Sequence, residues 1–145
     1  MHKLTARMIR LQGKTFQQIK DFNAIKLATV EEVQNSLNKE SLVNWSYDNG
    51  SESITRKFQF KDFKEAMCFM NSIAVFADRI DHHPEWFNVY NNLNVNLRTH
   101  TCDGVSLKDL YLARYFDCVL ENMKGKDLNG YWDIVEIDEK SLLSD

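Results

Sequence analysis

The chain has 145 residues, 43% hydrophobic and 27% charged, with a formal net charge of −3. That length suits one domain and that balance an ordinary globular protein, with no electrostatic case for direct nucleic-acid binding. No apolar run approaches the roughly 18 residues a membrane span needs, and three cysteines without CxxC spacing, Cys68, Cys102 and Cys118, fit reduced thiols better than a disulfide framework.

The chain opens on a basic extension, residues 1–26. Met1 to Lys20 holds five Lys or Arg and no acid. Two readings fit it: an organellar transit peptide, or an arm lying on the domain surface. The expected compartment is cytoplasmic, with a nuclear pool compatible, and the basic arm keeps an organelle open.

Residues 27–123 carry the folding signals. Thr29-Val30-Glu31-Glu32, Asp62-Phe63-Lys64-Glu65 and Ser106-Leu107-Lys108-Asp109 each set a capping side chain three residues before a carboxylate, which marks three helix starts. The first helix is short, with Val30, Val33 and Leu37 on its apolar side. Between it and the second, Asn49-Gly50 signals a tight hairpin of type I′, joining strands near Val43–Asp48 and Ser53–Phe60. In the second helix Phe63, Ala66, Met67, Met70, Ala74, Ala77 and Ile80 recur at helical spacing and define its expected buried face.

After Pro84 the sequence alternates. Phe87, Val89, Leu93, Val95 and Leu97 share one parity, and Asn88, Tyr90, Asn92, Asn94, Asn96 and Arg98 the other. This reads as one long strand with one buried face and a bulge or bend on the way. Asp103-Gly104 turns the chain into the third helix, whose apolar face is Leu112, Phe116, Val119 and Met123. The expected order is α-β-β-α-β-α, a single α+β domain with helices on one face of an antiparallel sheet. A long strand with a polar face suits a sheet edge and pairing with a second subunit. Residues 124–145 form an acidic tail that contains Tyr131, Trp132, Ile134, Val135 and Ile137, and part of it is expected to pack as a short strand or extended arm.

Chemistry points to residues 80–100, where three of the four histidines stand: His82 and His83 before the only proline, and His100 at the far end. As metal ligands they lack the usual zinc spacings, the His-x-x-x-His of a helix or a Cys pair, and adjacent extended residues point apart. As acid–base groups they are well suited, because imidazole exchanges a proton near neutral pH, and Asp78 and Asp81 stand close enough in sequence to orient them. Cys102, two residues after His100, makes a nucleophile pair conceivable, but nothing marks its thiol as activated. Plain loop histidines are the remaining reading.

The run Asp81-His82-His83-Pro84-Glu85-Trp86-Phe87-Asn88-Val89-Tyr90-Asn91, with Thr99-His100, Gly104-Val105-Ser106 and Asp109 after it, resembles the pterin-4a-carbinolamine dehydratases. The likeness spans roughly Leu27 to Met123 and includes Trp45 and Phe58–Phe63. It implies an antiparallel sheet of about four strands and a homodimer or homotetramer. It also implies dehydration of a 4a-hydroxytetrahydropterin to the quinonoid dihydropterin, recycling tetrahydrobiopterin for aromatic amino-acid hydroxylases, with no cofactor and no metal. By the same resemblance His82 and His100 are the main acid–base pair, with His83 in support. Asp81, His82, His83 and the backbone of Arg98, Thr99, His100 and Thr101 hold the pterin, and Asp78 and Trp45 match further site positions. Three positions depart from the family pattern: Asp78 where glutamate is frequent, Lys108 where arginine is frequent, and Arg98 where a small residue is common. Animal relatives also bind a homeodomain transcription factor, so a binding module that lends its helices or extensions to a protein partner is the competing reading. A metal-dependent hydrolase is the third.

Overall fold

The computed structural model describes residues 27–38, 42–128, 130, 134, 135 and 137. The basic extension, and Tyr131 and Trp132 of the tail, lie outside the described residues. All three helix starts are where the caps put them. α1 (Val30–Leu37) opens on Thr29, whose Oγ1 accepts from Glu32 N while Glu32 Oε2 accepts from Thr29 N, a closed capping box. α2 (Phe63–Arg79) opens on Asp62, whose Oδ1 accepts from Glu65 N. α3 (Leu107–Met123) opens on Ser106, boxed with Asp109.

The sheet consists of β1 (Ser46–Asp48), β2 (Ser53–Gln59), β3 (Glu85–Val89) and β4 (Asn92–Leu97), ordered β1-β2-β4-β3 and antiparallel throughout. The hairpin at Asn49-Gly50 forms, but not as a two-residue type I′ turn. Its loop is Asn49–Glu52, closed by the Asp48–Ser53 pair, and positive φ falls on Glu52 rather than on Asn49 or Gly50. Asp48 decides this: Oδ1 accepts from Gly50 N at 3.1 Å and Oδ2 from Ser51 Oγ at 2.6 Å, so the carboxylate shapes the turn itself.

The long alternating segment is two strands, not one, and the order becomes α-β-β-α-β-β-α. The chain reverses at Tyr90-Asn91, with Tyr90 at φ 52°. Around a two-residue loop, paired residues have opposite parity: Trp86 lies opposite Val95, and Asn88 opposite Leu93. Parity therefore inverts at the turn. Leu93, Val95 and Leu97 are buried as expected, whereas Phe87 and Val89 are 66% and 55% exposed on the outer face. A continuous odd-numbered apolar pattern concealed the reversal.

α2 and α3 cover the inner face of the sheet. Phe116 of α3 meets Trp45, Phe69 and Trp86 edge-on, with ring centroids 5.6–6.3 Å apart. The expected face of α3 is buried in full. That of α2 is rotated: Ala66, Phe69, Ile73, Phe76 and Ala77 go inside, while Phe63 and Ala74 are exposed. Both stripes are apolar at helical spacing, and the one with the bulkier rings fills the space over the sheet. The tail packs back on α2. Cys68 Sγ donates to Gly130 O at 2.8 Å, Val135 N donates to Ser72 Oγ at 2.9 Å, and the Val135 side chain is buried. No described residue of the tail is in a strand. No helix among the described residues is long and apolar enough to cross a membrane.

Candidate active site

The end of α2 and the end of β4 meet at one corner of the sheet. Asp81 takes a left-handed conformation, φ 51°, which breaks the helix before His82-His83-Pro84; His82 N then donates to Ala77 O at 3.0 Å. Beyond β4, Thr99 and Gly104 bridge back to back, and His100–Cys102 form one 3₁₀ turn ended by Asp103 at φ 53°. A cavity of about 580 Å³ opens between these two corners. Asp81, His82, His83, Glu85, Arg98, Thr99, His100, Thr101 and Lys108 line it.

His82 is the buried member. Its Nε2 lies 2.6 Å from Asp109 Oδ1, and Asp109 is wholly buried. The other oxygen, Oδ2, accepts from Thr99 Oγ1 at 2.7 Å and from Ser106 N at 2.9 Å. Thr99 has one hydroxyl proton, given to Asp109, so Ser106 Oγ is the donor in the 2.6 Å Thr99–Ser106 contact. Every bond uses the Asp109 carboxylate as acceptor. His82 therefore holds its proton on Nε2, leaving Nδ1 for other work. The other two imidazoles are exposed and pair with carboxylates, His83 Nε2 with Asp78 Oδ1 at 3.3 Å and His100 Nε2 with Glu85 Oε1 at 3.2 Å.

Of the expected site residues, the fold brings Asp81, His82, His83, Arg98, Thr99, His100 and Thr101 to one cavity, and Asp78 reaches it through His83. Trp45 stands apart. It is buried between Phe58 and Phe116, and its Nε1 donates to Asp117 Oδ1 at 3.0 Å. Asp117 also pairs with Arg56 Nη1; burial pushes its carboxyl up to about 6, opposed by Arg56 and by the Trp45 hydrogen bond. Burial, then the nearby Asp109 charge, pushes the Cys102 thiol up, the opposite of what a nucleophile at neutral pH needs. Among the described residues no three His, Cys, Asp or Glu side chains group as a metal ion would require. A second hollow, on the outer sheet face, is lined by amides, hydroxyls, Val95, Arg56 and Lys57, with neither imidazole nor carboxylate.

The sequence reading took Asp109 as a cap and, with Glu85, as part of the family resemblance, but gave neither a role in the site. A signal for Asp109 was present: capping boxes are usually closed by Glu or Gln, and this one is closed by the shorter aspartate, which serves the box with one oxygen and His82 with the other.

Fold and cavity define an α+β domain with a histidine site backed by a buried carboxylate. The family described as Pterin 4 alpha carbinolamine dehydratase matches residues 26–119. A Burkholderia cenocepacia protein named "Putative pterin-4-alpha-carbinolamine dehydratase" is 46% identical over 78 residues, which cover 54% of this chain and 76% of the relative. A Brucella ovis protein of the same name is 46% identical over 79 residues, 54% of this chain and 81% of the relative. A Brucella melitensis crystal structure, described as a transcriptional coactivator/pterin dehydratase, superposes with a TM-score of 0.59 at 43% identity, covering 64% of this chain and 96% of that one. The chain belongs to the pterin 4 alpha carbinolamine dehydratase family.

Proposed function

We propose that this protein is a hydro-lyase that dehydrates 4a-hydroxytetrahydropterin to the quinonoid dihydropterin by histidine acid–base catalysis. The observation that carries the reading is the pairing of His82 with the buried Asp109 on the wall of a cavity that His100 also lines. In the reaction the C4a–O bond breaks, N5 loses its proton and a C4a=N5 double bond forms. The departing hydroxyl takes one proton and leaves as water. His82, with Nε2 held by Asp109, takes the N5 proton at Nδ1. His100, with Nε2 toward Glu85, donates to the hydroxyl. Proton return from His82 to His100 through solvent restores both rings. His83, tethered to Asp78, supports the charge, and Asp81 and the backbone from Arg98 to Thr101 hold the pterin. Trp45 has no open face toward the cavity, so contact with the substrate is not part of this reading.

Stopped-flow absorbance of freshly generated 4a-hydroxytetrahydropterin tests it. The protein is expected to accelerate decay to the quinonoid product equally before and after chelator treatment. Loss of acceleration after chelation would transfer the chemistry to a metal, and no acceleration from folded protein would end the dehydratase reading.

The same reading includes a homodimer or homotetramer. β3 is an edge strand whose exposed Phe87 and Val89 suit contact with a second copy. Light scattering at micromolar concentration is expected to give a multiple of the monomer mass, and a monomer would sink this part. The coactivator description of the Brucella melitensis structure favours protein binding as a second reading, which coexists with catalysis. Recycling of tetrahydrobiopterin and a cytoplasmic or nuclear location follow the family likeness.

A further inference from the structure

Each of the three imidazoles at this corner stands beside one carboxylate: His82 by Asp109, His83 by Asp78 and His100 by Glu85. Glu85 is the one whose backbone the sheet fixes. It opens β3, where it lies opposite Asn96 of β4, and Pro84 restrains the chain just before it. His100 is held from the other side, in the 3₁₀ turn enclosed by the Thr99–Gly104 bridge. Both residues line the cavity, and Glu85 Oε1 lies 3.2 Å from His100 Nε2. Among the described residues the Glu85 side chain has no other ionic or hydrogen-bonding partner. As the acid of the reaction, His100 is an imidazolium before transfer, with a proton on each ring nitrogen. A carboxylate beside Nε2 draws that edge of the ring toward β3 and leaves the Nδ1 proton for the substrate hydroxyl. Resting on the dehydratase reading, we propose that Glu85 is the positioning residue of His100. The ion pair fixes the ring so that Nδ1 delivers the proton and Nε2 keeps its own. The Glu85 and His100 side chains are 54% and 73% exposed, so solvent screens the pair and its effect on the rate is modest.

Two measurements test this on the full chain: steady-state dehydration, and NMR relaxation of the imidazole carbons. Glu85→Gln keeps the size of the side chain and removes its charge. It is expected to lower kcat by about fivefold, the upper end for an exposed ion pair, with KM within about twofold. The loss should run through His100. In the His100→Ala background, Glu85→Gln is therefore expected to change kcat by less than about twofold. Relaxation with the imidazoles protonated reads the positioning without turnover. The His100 ring should gain nanosecond mobility in Glu85→Gln, and the His83 ring should not. An unchanged kcat in Glu85→Gln would overturn the proposal. So would an equal fall in the wild-type and His100→Ala backgrounds, because Glu85 would then act on something other than His100. A His100 ring as restrained in the variant as in the wild type would overturn it too. Folded wild-type protein that does not dehydrate substrate would end the functional reading alone, and the ring comparison would still decide whether Glu85 holds His100.

Discussion

Replacing His82 or His100 by alanine is expected to lower the dehydration rate by about 10²-fold or more, the usual scale for losing a positioned acid or base. The two losses should differ in kind. His100 is exposed and its partner Glu85 lies at the rim, so its removal leaves the fold intact. His82 is buried against Asp109, so its removal also leaves that carboxylate short of a partner. Asp109→Asn separates positioning from structure. The amide is nearly isosteric and keeps an oxygen for Ser106 N or Thr99, but it lacks a second carboxylate oxygen for the Nε2–H of His82. The ring then loses the contact that sets its tautomer. Turnover should fall by about 10²-fold or more, as when the carboxylate partner of a catalytic histidine is neutralised. Thermal unfolding should show a folded protein, and the acid limb of the pH–rate profile should move. Rates near wild type in the His82 and His100 variants would remove both from the assigned roles. An unmoved profile in Asp109→Asn would reduce Asp109 to a helix cap.

The second large effect lies away from the cavity. Asp117→Ala is expected to destabilise the fold by about 3–5 kcal/mol, because it strands a mostly buried Arg56 guanidinium and the Trp45 indole N–H together. Asp117→Asn keeps an acceptor for Trp45 and should cost less. The aspartate also has a pH signature opposite in sign to that of most carboxylates. Its folded value, about 6, lies above the 3.8 of an unperturbed aspartate, so between the two the folded state holds the extra proton. The resulting stability is fully present below the unfolded value and is lost as pH rises through the folded one. Relative to Asp117→Asn, wild type should therefore gain about 2 kcal/mol on going from pH 7 to pH 4.5. Urea unfolding of both proteins at several pH values measures the difference directly. Parallel stability curves would mean that Arg56 and Trp45 hold Asp117 ionised throughout that window.

Short-range chemistry was legible in the chain because its causes are local. A capping oxygen needs only a free N–H two or three residues on, so Thr29, Asp62 and Ser106 declared three helix starts. A proline restrains the residue before it, so the end of α2 just ahead of His82-His83-Pro84 could be read directly. The histidine set, with Asp81, Arg98, Thr99 and Thr101, was legible as a pattern, and the fold brings those residues to one cavity. The α+β class followed from the alternation of helical and strand-like periods.

What the chain could not show by itself was anything decided by which face meets which. The buried parity inverts at the two-residue turn, but the outward Phe87 and Val89 are apolar and continue the odd-numbered pattern of Leu93, Val95 and Leu97, so the sequence alternation hid the reversal. Only cross-strand pairing turned Phe87 and Val89 outward. Two apolar stripes on α2 competed, and packing volume over the sheet chose Phe69, Ile73 and Phe76. The partnership of His82 with Asp109 joins residues 27 positions apart. It exists because the helix α3 begins beside the end of α2, so that a carboxylate spent on a local cap has a second oxygen left to face an imidazole. Tertiary structure alone could supply that contact, because its strength lies in the burial of both groups.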